Sequence, residues 1–313
     1  MNRRAPIPPL VVLFFGILAV STASVFIRNA QQYAPSLVIA AYRLSLASLL
    51  LVPLALTRQR QELTTLNGRQ LGLALLSGIF LAIHFAAWIT SLEYTTVTSS
   101  VVLVTTTPLW VALLSPLTLK EPITRPVLAG MGLALTGGLV IGLGEMCTWS
   151  EAGLTCAPFS ELLKEGALLG DLLALCGAWA AAGYILIGRR LRVRMSLIGY
   201  IFVVYGMAAV VLVVVMLAAG ESAFGYPPQA YLWFLLLAIF PQLIGHSSFN
   251  YALGYLSAAY VSISLLGEPI GSSILAYIFL DEVPSGIEIF GAILILTGIY
   301  ITSRGQSGQG EQL

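Results

Sequence analysis

The chain has 313 residues, of which 58% are hydrophobic and only 9% are charged, and its formal net charge is +1. Soluble domains carry about 25% charged residues, so this composition excludes an ordinary soluble domain. A net charge this close to zero, without a long basic arm, gives no reason to expect a nucleic acid partner. The composition predicts one integral membrane unit with no large soluble domain.

Apolar stretches long enough to cross a membrane recur along the whole chain. A helix needs about 20 apolar residues to cross the hydrocarbon core of a bilayer. Ten stretches meet this requirement: 8–27, 35–56, 70–91, 97–118, 126–144, 166–188, 197–219, 230–251, 257–280 and 287–303. We therefore predict an all-α integral membrane protein with ten transmembrane helices.

The sequence repeats itself at a constant offset of 161 residues. The matched pairs include Leu92 with Leu253, Tyr94 with Tyr255, Pro108 with Pro269, Glu121 with Glu282 and Gly137 with Gly298. Each copy holds five spans, an odd number, so the second copy enters the membrane inverted, an arrangement that recurs in secondary transporters. The predicted parts are a first five-helix repeat over 1–145, an extracytoplasmic loop over 146–165, a second five-helix repeat over 166–304 and a cytoplasmic tail over 305–313.

The N-terminal segment resembles a signal peptide, because Arg3 and Arg4 precede an apolar run that ends in small residues. Cleavage would remove the counterpart of the sixth span, so the repeat favours an uncleaved first helix. With the N-terminus in the cytoplasm, twelve lysines and arginines lie inside and only Arg28 and Lys164 lie outside. The excess of inside positive charge predicts that both termini are cytoplasmic, in a plasma membrane of the bacterial inner-membrane type.

Two ionisable residues lie within predicted spans, where a charged group is costly and usually functional. Glu268 lies near the middle of span nine beside Pro269, and Arg43 lies in span two. One interpretation is a permanent ion pair that serves assembly only. In the other, Glu268 binds and releases a proton and Arg43 holds an anionic group of a substrate. Snorkelling of Arg43 toward the outer headgroups is a third interpretation.

Polar and aromatic residues share helix faces in spans three and eight. His84 and Trp88 are four residues apart in span three, and the same spacing relates Gln242, His246 and Asn250 in span eight. The two histidines occupy nearly corresponding places in the two repeats, so we predict that both helices line one substrate-binding cavity. The alternative is that each histidine is a packing residue.

The repeat is asymmetric at its acidic position, because Thr107 of span four occupies the place of Glu268. Such a position is where we expect substrate or ion specificity. Ser264 and Ser272 lie four residues to either side of Glu268 and share its helix face. Thr107 and Ser264 are therefore further candidates for substrate binding, although such hydroxyls often bond to carbonyls of their own helix.

Three cysteines and a set of glycines complete the candidates. Cys147 and Cys156 fall in the long outside loop, where they form a disulfide or remain two free thiols, and Cys176 lies within span six. The cysteines have no metal-ligand spacing, and we expect neither a metal nor another cofactor.

Glycines in spans five and ten allow close helix packing, either as a scaffold within the chain or as the contact of a homodimer: Gly130, Gly137, Gly138, Gly291 and Gly298.

Several short segments in a fixed order carry a resemblance to a known family. They are Ala40-Ala41-Tyr42-Arg43, Ser91-Leu92-Glu93-Tyr94-Thr95, Pro108-Leu109, Leu266-Gly267-Glu268-Pro269, Leu280-Asp281-Glu282 and Gly291-Ala292-Ile293-Leu294. Within a duplicated ten-span frame, they resemble the drug/metabolite transporter superfamily in its EamA-like branch, over residues 8–303. The resemblance implies transport of small metabolites, including amino acids, through a cavity lined by helices one, three, four, six, eight and nine.

We therefore predict a secondary transporter that moves a small metabolite, such as an amino acid, across the plasma membrane by alternating access, in the direction of export. Its partners are the lipid bilayer and a small-molecule substrate, with a proton as the candidate coupling ion. The chain lacks the Gly-rich Lys-Ser/Thr loop of ATP-driven proteins. The alternatives are a membrane-embedded enzyme and a receptor or sensor without transport. We expect no enzymatic activity, because the sequence lacks the metalloprotease and Gly-x-Ser-x-Gly motifs.

Overall fold

The computed structural model describes residues 5–94, 100, 103–150, 153–156, 167–268, 270–271, 274–275 and 286–307. Among these residues the regular structure is helical apart from one two-stranded hairpin, and turns and loops connect the elements. The helices are α1 (Pro9–Val20), α2 (Ala23–Gln31), α3 (Ser36–Arg58), α4 (Arg60–Thr65), α5 (Gly68–Tyr94), α6 (Thr107–Thr118), α7 (Arg125–Met146), α8 (Ala167–Arg192), α9 (Leu197–Ala218), α10 (Pro228–Leu237), α11 (Ser247–Ala252), α12 (Ala258–Ser264) and α13 (Gly286–Ser307). A π-helical segment, Ala238–His246, joins α10 to α11, and a 3-10 turn, Leu265–Gly267, follows α12.

Six helical segments of the described chain are long and apolar enough to cross a membrane. They are Pro9–Gln31, Ser36–Arg58, Gly68–Tyr94, Leu168–Arg192, Leu197–Ala218 and Pro228–Ala252. Large apolar side chains cover the outside of these helices, as at Phe14 and Phe15, which are both 59% exposed. Such a surface is costly in water and suits contact with lipid. The prediction of a helical membrane protein is confirmed.

Helices from the early part of the chain pack on helices from its late part. α3 packs on α9, α5 on α8, α6 on α12, and α7 on α13, while α1 packs on the π-helical segment and α11. These pairings bring residues far apart in sequence to the middle of the bundle. Buried aromatic residues such as Phe85, Tyr200 and Tyr205 fill its core.

Glycines allow α7 and α13 to touch through their backbones. A Cβ atom added at Gly137 would lie 2.5 Å from the carbonyl oxygen of Gly291, and one added at Gly130 would collide with Thr302 and Gly298. Small residues at such a contact let helices approach closely where lipid offers no hydrophobic driving force. Of the two roles predicted for these glycines, the structure supports the scaffold within one chain, because it turns them toward each other.

The hairpin lies in the predicted outside loop. Strands β1 (Cys147–Ser150) and β2 (Gly153–Cys156) are antiparallel, and Cys147 is the register partner of Cys156. Residues 157–166, most of the remaining loop, and residues 308–313 of the tail lie outside the described residues. The backbone register thus brings the two cysteine positions opposite each other.

Candidate functional site

Several helices around the central cavity depart from α-helical geometry. The first span breaks at Ser21 and Thr22, between α1 and α2, and α12 tightens into the 3-10 turn before Glu268. The π-helical segment contains Pro241, which removes a backbone donor. π-helical turns are frequent at functional sites, and broken helices in membrane proteins surround buried or water-filled sites. These breaks therefore mark the centre of the bundle as the place to look for a site.

A cavity of about 90 Å³ lies among these broken helices. Its volume is sufficient for several water molecules or a small polar group. Residues from α1, α2, α3, α5, α6, α8, the π-helical segment, α11 and α12 contribute to its wall. The lining residues are Val20, Ala23, Arg43, His84, Trp88, Val104, Thr105, Thr107, Pro108, Ala181, Tyr184, Ile185, His246, Phe249, Leu253, Ser262, Leu265, Leu266 and Glu268.

Arg43 is fully buried in the wall of this cavity. Its Nε atom donates a hydrogen bond of 2.9 Å to Oε1 of Gln242, and its guanidinium carbon lies 4.1 Å from the centre of the Phe85 ring. These two contacts hold the guanidinium in place through a hydrogen bond and a cation–π interaction. Its Nη1 atom is nevertheless buried without a hydrogen-bond partner. The side chain is oriented by the protein and keeps a donor for something else.

Glu268 lies in the same wall, directly after the 3-10 turn. Its backbone carbonyl accepts a hydrogen bond of 3.2 Å from the Ser21 hydroxyl, which ties it to the break in the first span. Among the described residues, no hydrogen bond reaches its carboxyl group, and no ion pair within 4 Å joins it to Arg43. The predicted direct pairing of Arg43 and Glu268 therefore stays a prediction.

The two histidines meet across the cavity with their ring centres 6.4 Å apart. Nδ1 of His84 lies 3.0 Å from the carbonyl oxygen of Gly177, so this nitrogen donates, and in the neutral ring Nε2 is left as an acceptor. His84 also stacks on Trp88 at 5.9 Å. In contrast, Nδ1 of His246 and Nε1 of Trp88 are buried without hydrogen-bond partners. Together with Nη1 of Arg43, these atoms are buried polar atoms without partners on residues that line one cavity.

The remaining predicted site residues divide into those that line the cavity and those that lie behind its wall. Thr107 lines it and donates to the carbonyl of Val104 at 2.8 Å. Gln242 and Asn250 are buried behind the wall. Ser264 is buried too and donates to the carbonyl of Tyr260 at 2.9 Å.

Several residues at the cavity carried no clear sequence signal. Tyr184 accepts a hydrogen bond from Nδ2 of Asn250, and Phe85 supports Arg43 and contacts the His246 ring at 5.1 Å. Ser262 lines the cavity, whereas the predicted stripe ran through Ser264. Tyr184 lies 161 residues after Ala23, another lining residue, so the two occupy corresponding positions of the repeat. Pro269, Ser272 and Glu282, named from the sequence, lie outside the described residues.

A second polar group, which we call the Glu121 cluster, lies next to the cavity where α6, α8 and α11 end. It consists of Glu121, Arg189, the Leu253 carbonyl and the Ala258 amide. Arg189 donates from Nε to Oε1 of Glu121 at 2.6 Å and from Nη1 to the Leu253 carbonyl at 3.1 Å. The other oxygen of Glu121 accepts from the Ala258 amide at 3.2 Å. The cluster thus joins three separate parts of the chain beside the cavity.

The family model of the EamA-like transporter family matches residues 8–143 and again residues 168–304. The chain belongs to this family. Over 301 residues it is 26% identical to the pseudopaline exporter CntI of Pseudomonas aeruginosa, covering 95% of this chain and 97% of that protein. It is 24% identical over 290 residues to an uncharacterized transporter of Archaeoglobus fulgidus, covering 90% and 92% of the two chains.

A solved crystal structure has the same fold as this EamA-like protein. It superposes with a TM-score of 0.75 at 17% sequence identity and covers 96% of this chain and 98% of that one. The match of the family model confirms the predicted family, and the solved structure shows that the fold is shared.

Proposed function

We propose that this EamA-like protein is a ten-span secondary transporter that exports a small metabolite through the central cavity by alternating access. The observation that carries the proposal is the composition of the cavity wall. Six pairs of lining residues are related by the offset of 161 found in the sequence: Val20 and Ala181, Ala23 and Tyr184, Trp88 and Phe249, Val104 and Leu265, Thr105 and Leu266, Thr107 and Glu268. Each half of the chain thus contributes corresponding positions to one site.

Helix boundaries and helix contacts support the same repeat. Shifting α7 by 161 residues gives 286–307, the bounds of α13, and shifting α3 gives 197–219, one residue longer than α9. α3 packs on its own counterpart α9, and α7 on its counterpart α13, as elements on a two-fold axis must. The contact of α5 with α8 corresponds to that of the π-helical segment and α11 with α1. Such packing is expected of inverted repeats related by an axis in the membrane plane.

Alternating access requires that one end of the cavity be closed while the other is open. The Glu121 cluster supplies such a closure, because it ties Glu121 of the first repeat to Arg189 and Ala258 of the second. In the topology predicted from the basic residues, this end faces the cytoplasm and both termini lie there. We infer that the cluster opens when the halves rock to admit a substrate from inside the cell.

The chemistry of the wall supports a substrate with both a polar and an apolar part. Buried donors without partners, on Arg43 and Trp88, suit a group that accepts hydrogen bonds. Phe249, Leu253 and Leu265 offer apolar surface beside them. Export is supported by the similarity to the pseudopaline exporter. A proton on Glu268 would remove a buried charge, which makes this residue the candidate for proton coupling.

The test is uptake of a labelled metabolite panel into liposomes that contain the purified protein. Wild type and Glu268→Gln are compared with and without a pH gradient across the membrane. If the protein exchanges substrate for protons, an acidic lumen accelerates uptake by wild type but not by the variant. Equal, gradient-independent uptake by both would contradict proton coupling and leave a facilitator. No uptake of any compound by folded protein would contradict transport itself.

A further inference from the structure

A second cavity, which we call the Arg192 pocket, lies apart from the central cavity. Its volume is about 150 Å³, and none of the described residues lines both cavities. The residues that line the Arg192 pocket are Arg192, Met195, Ser196, Leu197, Tyr251, Gly254 and Tyr255. They come from the end of α8, the start of α9 and the end of α11 with the turn that follows it. We propose that this pocket binds the phosphate group of an anionic phospholipid.

The Arg192 pocket lies at the depth where lipid headgroups meet a membrane protein. α8 and α9 are both long and apolar enough to cross a membrane, and the pocket lies at the turn between them. In the topology predicted from the basic residues, this turn faces the cytoplasm. Val193 in the turn is 50% exposed, so apolar surface adjoins the pocket. A lipid phosphate reaches the pocket at this depth while its acyl chains remain beside the apolar spans.

The guanidinium of Arg192 is buried and oriented within this pocket. Its Nε atom donates to the carbonyl of Asn250 at 2.8 Å, and Nη1 donates to the carbonyl of Met195. Carbonyl groups carry no net charge, so these two contacts orient the guanidinium without neutralising it. A Cβ atom added at Gly254 would lie 3.3 Å from Nη2, so the glycine leaves space in the pocket beside this donor. An oriented guanidinium is well suited to bind a phosphate group.

The start of α9 adds a hydroxyl group and engages the nearest acidic residue. Oε1 of Glu62 accepts a hydrogen bond of 2.7 Å from the Ser196 amide, so this carboxylate caps α9. The Ser196 hydroxyl accepts a hydrogen bond of 3.0 Å from the Gly199 amide and keeps its hydrogen as a donor. Because Ser196 lines the pocket, its hydroxyl and the guanidinium of Arg192 lie in one wall. Both groups donate hydrogen bonds, as an anion requires.

The charge around the pocket favours an anionic lipid over a zwitterionic one. Arg190 and Arg194 are exposed and flank Arg192 in the sequence. These three positive charges face one negative charge, that of Glu62, which contacts the pocket through Ser196. Basic pockets at the cytoplasmic ends of transmembrane helices bind acidic headgroups. The positive group of a zwitterionic headgroup would meet these arginines unfavourably.

The test follows thermal unfolding of the detergent-solubilised protein during titration with phospholipids. A ligand that binds only the folded protein raises its unfolding temperature. We expect a saturable rise with phosphatidylglycerol, and none with phosphatidylcholine or with glycerol 1-phosphate, which has the phosphate but no acyl chains. An equal rise with glycerol 1-phosphate would overturn the lipid in favour of a soluble phosphate compound. An equal rise with phosphatidylcholine would overturn selection by charge.

Substitutions show whether the effect arises in the Arg192 pocket. Arg192→Gln should raise the phosphatidylglycerol concentration at half-saturation by about 10-fold or more, and Arg194→Gln by about 2- to 5-fold. The matched control is Arg125→Gln, because Arg125 is an exposed arginine at the start of α7 that does not line the pocket. This variant should bind like wild type. Equal weakening by Arg194→Gln and Arg125→Gln would indicate attraction to surface charge in general and would overturn the pocket.

Gel filtration shows whether each variant folds, since Arg192 also joins two parts of the chain through its carbonyl contacts. If Arg192→Gln does not fold, Gly254→Ala retains every arginine and places a methyl group beside Nη2. It should weaken binding of phosphatidylglycerol by about 3-fold or more, and unchanged binding would overturn the site. Lipid binding is measured without a transported substrate, so this result is independent of the proposed transport function.

Discussion

Two arginines in this bundle differ in how completely their side-chain donors are hydrogen-bonded. Arg189 has hydrogen bonds from Nε and Nη1, and its partner Glu121 is satisfied at both oxygens. Arg43 has one hydrogen bond and a buried Nη1 atom without a partner, and Glu268 has an uncommitted carboxyl group. The first arrangement is complete without a ligand, as a structural contact should be. The second is incomplete, and a buried polar group without a partner is costly unless something else supplies it.

The largest effect should come from Arg43→Met. We expect transport to fall by about 100-fold or more, because the variant loses the oriented charge that holds the substrate. Stability should fall less than in Arg189→Met, since only the Gln242 oxygen loses a hydrogen bond while an incompletely satisfied buried cation is removed. Liposome uptake and thermal unfolding of the same preparation measure both. A variant that unfolds at or below the temperature of Arg189→Met would contradict the distinction between the two arginines.

The matched change at the other arginine, Arg189→Met, should act mainly on stability. It leaves Glu121 and the Leu253 carbonyl without their partner, which costs about 1–3 kcal/mol. Thermal unfolding should therefore shift down, while substrate affinity measured below the transition should stay close to that of wild type. An unchanged melting temperature would contradict a stabilising role of the Glu121 cluster.

A smaller effect is expected for Trp88→Phe, which retains the ring and removes only the unpartnered indole N–H. Substrate affinity should fall by about 3- to 10-fold, the value of one ordinary hydrogen bond. Folding stability should be unaffected, because no protein group loses a partner. Trp233→Phe is the control, since Trp233 packs against Phe26 and does not line the cavity. Equal losses from both changes would argue against an indole N–H that contacts substrate.

The smallest effect on transport should come from a substitution in the hairpin of β1 and β2. Cys147 and Cys156 are register partners, and directly opposed positions of an antiparallel pair suit a disulfide. We expect Cys147→Ser to abolish a mobility difference between reduced and unreduced protein on denaturing gels. Uptake should remain at the wild-type rate. A severe transport defect would place function outside the cavity.

How much of this could be predicted from the sequence depends on the kind of information each residue carries. The helical membrane class follows from apolar length, and the family from short segments such as those around Arg43 and Glu268. Continuous α-helices were expected in these spans, and neither the π-helical segment nor the 3-10 turn was predicted from the sequence. Ser262 lines the cavity and Ser264 does not, although both hydroxyls donate to carbonyls of their own helix, α12. A prediction from helix periodicity assumes regular α-helical winding, and these two segments depart from it.

The role of Gln242 illustrates the same limit. Its polarity within an apolar span predicted a functional residue, yet periodicity could not distinguish a residue that lines the cavity from one behind its wall. The structure places Gln242 behind Arg43, and its Oε1 atom accepts a hydrogen bond from Nε of Arg43. Long-range partners of this kind, 199 residues apart, are fixed only by the tertiary fold.

The most direct test of the central claim is the fluorescence of Trp88 during titration with a transported substrate. A protein with Trp88 as its only tryptophan reports from the cavity wall, and one with only Trp233 is the matched control. We predict a saturable change in Trp88 emission, with a midpoint equal to the substrate affinity, and no change in the Trp233 protein. A transport-competent protein whose Trp88 emission does not respond to its substrate would contradict a binding site in this cavity.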